Sequence, residues 1–210
     1  PETLNNNLEL LGIDPARLDA LMLSHGHYDH FGGLNGFQAK KALPFYLGGV
    51  ECFCTREAGV GDSAGDFGAL GRQAIASAGL RVLYADQLAE AKRNLTQVPD
   101  DFEHEQATCF NVKGKGLVVM TLCGHRGVVN SVRRAIAVSG VNKVHAVMGG
   151  FHLAPHPPEY LRETVAALKE INPDPLIPMH CSGEAFIAIA MQEMPAKVLR
   201  SSTGTRLLFG

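Results

Sequence analysis

Several things that the chain has little of narrow its class before any motif is considered. No apolar run approaches the roughly 18 residues that a membrane-spanning helix needs. The longest candidate, residues 185–191, is far shorter, so no membrane association is expected. Net charge is also scarce. Nineteen Lys and Arg against 21 Asp and Glu leave −2, which argues against wholesale binding to nucleic acid or to an acidic membrane surface. Cysteine is sparse and irregular. Cys52, Cys54, Cys109, Cys123 and Cys181 are odd in number and lack a regular spacing, which argues against a disulfide framework. Cys52 and Cys54 are a metal-binding candidate, but no second pair completes a four-ligand zinc site. An unpatterned set of thiols predicts a reducing, cytoplasmic compartment. Residues 1–7 show neither an initiator Met nor a secretory signal pattern, and the chain reads as one that starts inside a domain. No repeat or low-complexity segment is present.

What is there is ordinary for a globular protein: 210 residues, 46% hydrophobic and 19% charged, enough for a sizeable core. Leu4, Leu8 and Leu11 are spaced i, i+4, i+7 and predict a helix at the start. Asp14-Pro15 marks a turn before a short buried strand over residues 18–23. Strands are expected at 44–47 and 81–84, with a Gly- and Ala-rich segment between them and a helix over 67–78. Residues 106–112 and 117–122 predict a hairpin around Lys113-Gly114-Lys115-Gly116. Helices follow at 127–139 and 157–171, the latter with Pro in its first turn, and strands at 143–148 and 175–179. Ser182 is positioned to cap a helix reaching Met194, apolar nearly all round and so expected to be buried. Two last strands, 197–200 and 205–209, flank the turn Ser202-Thr203-Gly204.

One stretch resists a structural explanation. Residues 25–30 read His-Gly-His-Tyr-Asp-His at the end of an apolar run. Three imidazoles packed this tightly beside a carboxylate repel one another if protonated and gain little from burial. A divalent cation resolves the conflict by accepting nitrogens and a carboxylate oxygen. Gly32-Gly33 then lets the backbone bend close to a ligand. The pattern recurs. Four times a strand ends, and each exit carries histidine: His25, His27 and His30, then His125, then His152, then His180. Strand ends in layered α/β folds converge on one rim where ligands collect, so these histidines predict one shared site. His145 sits mid-strand and reads as a core residue, while His104 and His156 are loop histidines that either line the pocket or are solvated.

These motifs resemble the metallo-β-lactamase superfamily, through His25-x-His27-x-Asp29-His30 and the later His125 and His180. Four strings together resemble the branch of dihydropterin–ribofuranosylaminobenzene-phosphate synthases. They are residues 24–30, Cys123-Gly124-His125-Arg126-Gly127, Gly149-Gly150-Phe151-His152-Leu153 and Pro178-Met179-His180-Cys181-Ser182-Gly183. The resemblance implies an α/β fold, an αββα sandwich, as a single domain over residues 1–210 with metals at its rim. Superfamily members begin with strands ahead of the first helix. Residues 1–18 match only that helix and its exit, which predicts an N-terminally incomplete domain whose first sheet is completed by an upstream segment or by another copy. Residues 49–105 are the place for a substrate-covering insertion or plain connecting structure.

The resemblance also implies the site. His25, His27 and His125 would hold one divalent ion, and Asp29, His30 and His180 a second, with zinc the default and iron or manganese accepting the same ligands. Metal-bound hydroxide would then attack a small anionic ester or phosphoester, with Asp29 on the second ion or orienting the water. Where most superfamily hydrolases place a metal-bridging aspartate, this chain has Phe151-His152. A neutral imidazole has one lone pair and cannot bridge two ions that way. His152 is therefore a candidate catalytic, metal-binding or substrate-binding residue, or a structural one. Arg126, beside His125, is a candidate for binding the substrate anion or pairs with a surface acid. Cys181 reads as a small buried hydrophobe or a reactive thiol. Two other functions compete with hydrolysis: a synthase-like transferase, and a non-catalytic ligand-binding protein that keeps metal as structure.

Overall fold

The structure is a computed structural model that describes residues 2–25, 27–37, 43–47, 80–84, 95–96 and 105–209. It falls into two compact units, residues 1–92 with 101–106, and residues 93–100 with 107–210. The expected 67–78 helix, Cys52, Cys54, His104 and most of the 49–105 segment lie outside the described residues.

In the first unit the opening helix, Glu2–Leu10, forms where the leucine spacing predicts it. Leu4 and Leu8 press against a small core of Phe37 and Leu43. Leu4 sits directly on Gly33, where an added Cβ would meet the leucine Cβ at 3.0 Å. Gly33 therefore serves helix packing. Asp14 caps the short 3-10 turn Pro15–Arg17 by accepting from the Ala16 N–H at 2.9 Å. The strand expected over 18–23 shrinks to β1, Leu21–Met22, because Leu18 turns into the core instead of pairing. β1 pairs in parallel with β2, Leu43–Leu47, and β2 with β3, Leu80–Tyr84.

The second unit is a five-stranded sheet, ordered β4-β5-β6-β7-β8. β4, Leu95–Thr96, and β5, Ala107–Val112, are antiparallel, and β5 turns back into β6, Gly116–Thr121, as the predicted hairpin. β6, β7 (Val144–Gly150) and β8 (Leu176–Met179) then run parallel. Parallel neighbours need a crossover. The helices Val128–Ser139 and Pro158–Ile171 provide it, each ending on a left-handed cap, Gly140 and Asn172. Val128, Val132 and Ala135 on the first helix and Leu161, Val165 and Leu168 on the second pack with Val119, Val147 and Leu176 into one core. Each of these valines and leucines contributes about 1.5–3 kcal/mol by leaving water. None of the described helices is long and apolar enough to cross a membrane.

Three expectations near the C-terminus are corrected. Ser182 does not cap the helix Glu184–Glu193. Gly183 is the N-cap, and the serine hydroxyl is 2.7 Å from the Met179 carbonyl it donates to. That helix buries Phe186, Ile187 and Ala190 but exposes Ala185, Ala188 and Met191, so it is one-sided despite its apolar composition. Residues 197–200 and 205–209 form no named strand. Val198 makes one isolated bridge to Leu176, and the turn at 202–205 closes with a 3.0 Å bond. Beyond that bridge Leu199 and Leu208 are exposed, so no buried face drives further pairing. His145 is held by Asp174 at 2.8 Å, a structural role. The hydrogen bond from His145, aided by Lys143 and Lys197, keeps the Asp174 carboxyl below its ordinary range.

Candidate metal centre

The histidine cluster of the first unit forms because β1 ends and a one-turn helix, Tyr28–Phe31, begins within five residues. His25 is fully buried, His27 and His30 are half-buried, and Asp29 is exposed. Ser24 Oγ lies 2.9 Å from His25 Nδ1 and 3.4 Å from His30 Nδ1. With Nδ1 engaged by the hydroxyl, His25 directs Nε2 at His27 Nδ1, 3.0 Å away. The His25 and His30 rings lie 4.2 Å apart, and Asp29 reaches His30 Nε2 at 3.5 Å. Such a donor set, imidazole nitrogens at ligand–ligand separation with a carboxylate beside them, fits a divalent ion. The hydroxyl behind His25 does what a ligand's hydrogen-bond partner does in metal sites: it holds the ring orientation.

Two residues that sequence reasoning missed hold this turn. Ser24 had a signal, since it is a hydroxyl directly before the first histidine. Gln106 had none. Its N–H donates to the Ser24 carbonyl at 2.9 Å, and its side-chain amide reaches the Leu23 carbonyl, 83 residues away in the chain, at 2.5 Å.

In the second unit the exits of β6, β7 and β8 leave one edge of the sheet side by side, carrying His125, His152 and His180. The His125 and His152 rings stand 4.0 Å apart. Gly149 and Gly150 make this approach possible. A Cβ on Gly149 would lie 1.6 Å from the Thr121 carbonyl oxygen, and one on Gly150 2.2 Å from that of Leu122. His152 and His180 both adopt left-handed backbone, φ 49° and 50°, each at a cost of roughly 1–2 kcal/mol. Strain of this kind collects at functional sites. The neighbouring loops are stitched together: Phe151 N–H donates to Ser182 Oγ at 3.2 Å, and Leu153 N–H to the Cys181 carbonyl at 3.2 Å.

Cysteine enters the site here; the sequence offered a thiol role for Cys181 only as an alternative and none for Cys123. Cys123 Sγ and Cys181 Sγ lie 3.3 Å apart, and His152 N–H donates to Cys181 Sγ at 3.2 Å. Ligand atoms of Cys123, His152 and Cys181 all fall within 4.8 Å of one another. The Cys181 thiol is pulled down to about 5, chiefly by its hydrogen bond with Cys123, against the opposing effect of burial and helped by His152 and His180. His152 Nδ1 is buried without a well-formed hydrogen bond among the described residues.

A cleft of about 310 Å³ opens beside His125 and His152, with Asn130, Arg133, His156 and Tyr160 on its walls. Arg126 is buried, and the cation on the cleft wall is Arg133. Arg133 follows Arg126 by seven residues, a two-turn spacing visible in the sequence. His156 stacks on Tyr160 with centroids 4.5 Å apart and planes 29° apart. His180 borders a different cleft, of about 810 Å³, together with Glu184 and Arg200.

The sequence pattern described as the metallo-beta-lactamase superfamily matches residues 2–137. A 7,8-dihydropterin-6-methyl-4-(beta-D-ribofuranosyl)-aminobenzene-5'-phosphate synthase of Methanocaldococcus jannaschii is 30% identical over 236 residues, covering 97% of this chain and 79% of the relative. An uncharacterized protein of the same organism, MJ0448, is 26% identical over 204 residues, 86% of this chain and 75% of its own. The crystal structure of Tm1679, a metal-dependent hydrolase of the beta-lactamase superfamily, superposes with a TM-score of 0.75. That match is at 22% identity and covers 98% of this chain and 84% of that one. With the histidine motif, the two sheets and these likenesses together, the chain belongs to the metallo-β-lactamase superfamily.

Proposed function

We propose that the chain is a metal-dependent hydrolase of small anionic esters or phosphoesters. The observation that carries the reading is the His25–His27 pair, two ring nitrogens 3.0 Å apart with one ring locked from behind by Ser24. Superfamily membership supports extending it to His25, His27 and His125 on one divalent ion and Asp29, His30 and His180 on a second. Zinc is the first choice, with iron or manganese next. Such ions supply Lewis acidity and a nucleophilic water at neutral pH. The chain's own groups do the rest. Asp29, exposed and 3.5 Å from His30, is placed to orient water or take a proton. His152 stands where a bridging carboxylate is usual and has only one lone pair to give, so it serves substrate or a single ion. Arg133 on the cleft wall meets the substrate's negative charge.

The 30% identity to a synthase favours a second reading, in which a phosphate-bearing substrate is joined to a pterin without attack by water. The stacked His156 and Tyr160 offer a flat face for a planar ring. The metal-loaded full chain, assayed on phosphodiesters and lactones, is expected to turn one of them over. Chelation should abolish that turnover, and His27→Ala should lower it at least about 100-fold with an unchanged circular dichroism spectrum, more than the loss of an outer-sphere partner causes. Pterin binding without hydrolysis selects the second reading. A fully metal-loaded protein that does neither refutes both.

A further inference from the structure

We propose that Cys123 and Cys181 form a reversible dithiol–disulfide pair, a modification site built into the edge of the five-stranded sheet. The two residues lie 58 positions apart in the chain, on the exits of β6 and β8, yet their sulfurs are 3.3 Å apart. A disulfide needs about 2.05 Å between sulfurs, so the two sulfurs must approach by about 1.3 Å. Here the space is prepared by the strand between them. Gly150 ends β7, and a Cβ there would stand 3.0 Å from Cys181 Sγ. His152 N–H then fixes the Cys181 sulfur from the other side, at 3.2 Å.

The two thiols differ in access, which sets an order of events. Cys181 is half-buried and Cys123 buried. Hydrogen peroxide meets Cys181 first: its thiol becomes a sulfenic acid as the peroxide O–O bond breaks and one water leaves. The Cys123 sulfur then attacks the Cys181 sulfur, the S–O bond breaks, and a second water leaves with the Cys123 proton. Two thiols lose two electrons in all, and one peroxide becomes two waters. A dithiol reductant reverses the change by exchange.

Closure acts on residues beside the pair. His125 is two positions after Cys123, and His180 is the neighbour of Cys181. Drawing the sulfurs together therefore shifts the backbone that carries both histidines. This consequence rests on the metal-centre reading given above, whereas formation of the bond does not.

The test uses the unmodified full chain, chelated, exposed to stoichiometric hydrogen peroxide, then alkylated, digested and mapped by mass spectrometry. The expected product is one intramolecular Cys123–Cys181 cross-linked peptide, with the intact chain about 2 Da lighter and the mass restored by dithiothreitol. In a Cys52→Ser/Cys54→Ser/Cys109→Ser background the same cross-link should form, and both remaining thiols should disappear together. Zinc content of the re-metallated, oxidised chain should fall at least twofold below that of the reduced chain. The pair is refuted if Cys181 proceeds to sulfinic acid while Cys123 stays a thiol. A cross-link found only between chains, or two thiols that remain reduced while Cys109 oxidises, refutes it equally. A cross-link that forms with zinc content unchanged removes the effect on the histidines and leaves the disulfide standing.

Discussion

The histidines of the two units reach their places by different routes. After β1, His25, His27, Asp29 and His30 come from six consecutive residues, so local backbone geometry alone gathers them. At the edge of the second sheet, Cys123, His125, His152 and Cys181 are spread over 59 residues and meet only because β6, β7 and β8 are parallel neighbours. The first group is supported by single side chains, Ser24 and Gln106. The second is supported by backbone fit, in which two glycines leave room that no other residue can leave. A local cluster is therefore vulnerable at its side chains, and an assembled one at its backbone.

Perturbations that separate these two modes range from global to slight. Gly149→Ala introduces a Cβ against a carbonyl oxygen at 1.6 Å on backbone with φ 119°. It should cost more than about 4 kcal/mol, the range reserved for severe backbone and packing faults, and thermal melting reads it directly. If Gly149→Ala melts within a few degrees of the parent, backbone fit is not what assembles the second edge. Ser24→Ala should leave melting nearly unchanged and weaken metal affinity about 10–100-fold, the usual loss for an outer hydrogen-bond partner. Competition titration with a chelator measures this, and an unaltered affinity would mean that His25 is oriented by packing alone. Arg133→Ala should raise KM for an anionic substrate about tenfold, or about 1.4 kcal/mol, with kcat little changed. A fall in kcat alone would move Arg133 from binding to chemistry.

The smallest effect lies away from both groups. Asp174 pairs with His145, and its carboxyl is held low in the folded chain. A group with a depressed folded pKa stabilises above its unfolded value and loses that contribution as pH falls through the folded one. Asp174→Asn should therefore cost at most about 0.5 kcal/mol above pH 5, since the carboxylate is largely exposed. The two proteins should converge in stability once pH falls well below the ordinary carboxylate range. Denaturant melts at two pH values suffice, and a difference that persists in acid would assign the effect to shape instead of charge.

Much of the fold could be read directly. The hairpin, both long helices and β2, β3, β7 and β8 lie within a residue or two of their expected bounds, because apolar spacing and Gly-Pro punctuation report on local geometry. The failures share a cause. Ser182 looked like a cap because serine before a helix usually is one, but its hydroxyl is 2.7 Å from the Met179 carbonyl in its own turn. Residues 197–200 and 205–209 read as strands, yet Val198 makes only one isolated bridge to the β8 edge, and Leu199 and Leu208 stay exposed. Local pattern states what a segment can become, and its tertiary surroundings decide whether it does.

For the site the division is similar. By itself the amino-acid order determined the His25–His30 cluster, the recurrence of histidine at four strand exits and the family. Ligand spacing within one turn, and the residue types that end strands, are properties of neighbouring residues. Only the tertiary structure decided that Arg133 and not Arg126 faces the cleft, that Gln106 pins the first cluster, and that Cys123 meets Cys181. Each of these depends on the order in which strands pair or on which face of a helix is buried. A one-residue shift in strand register turns every side chain of that strand to the opposite face.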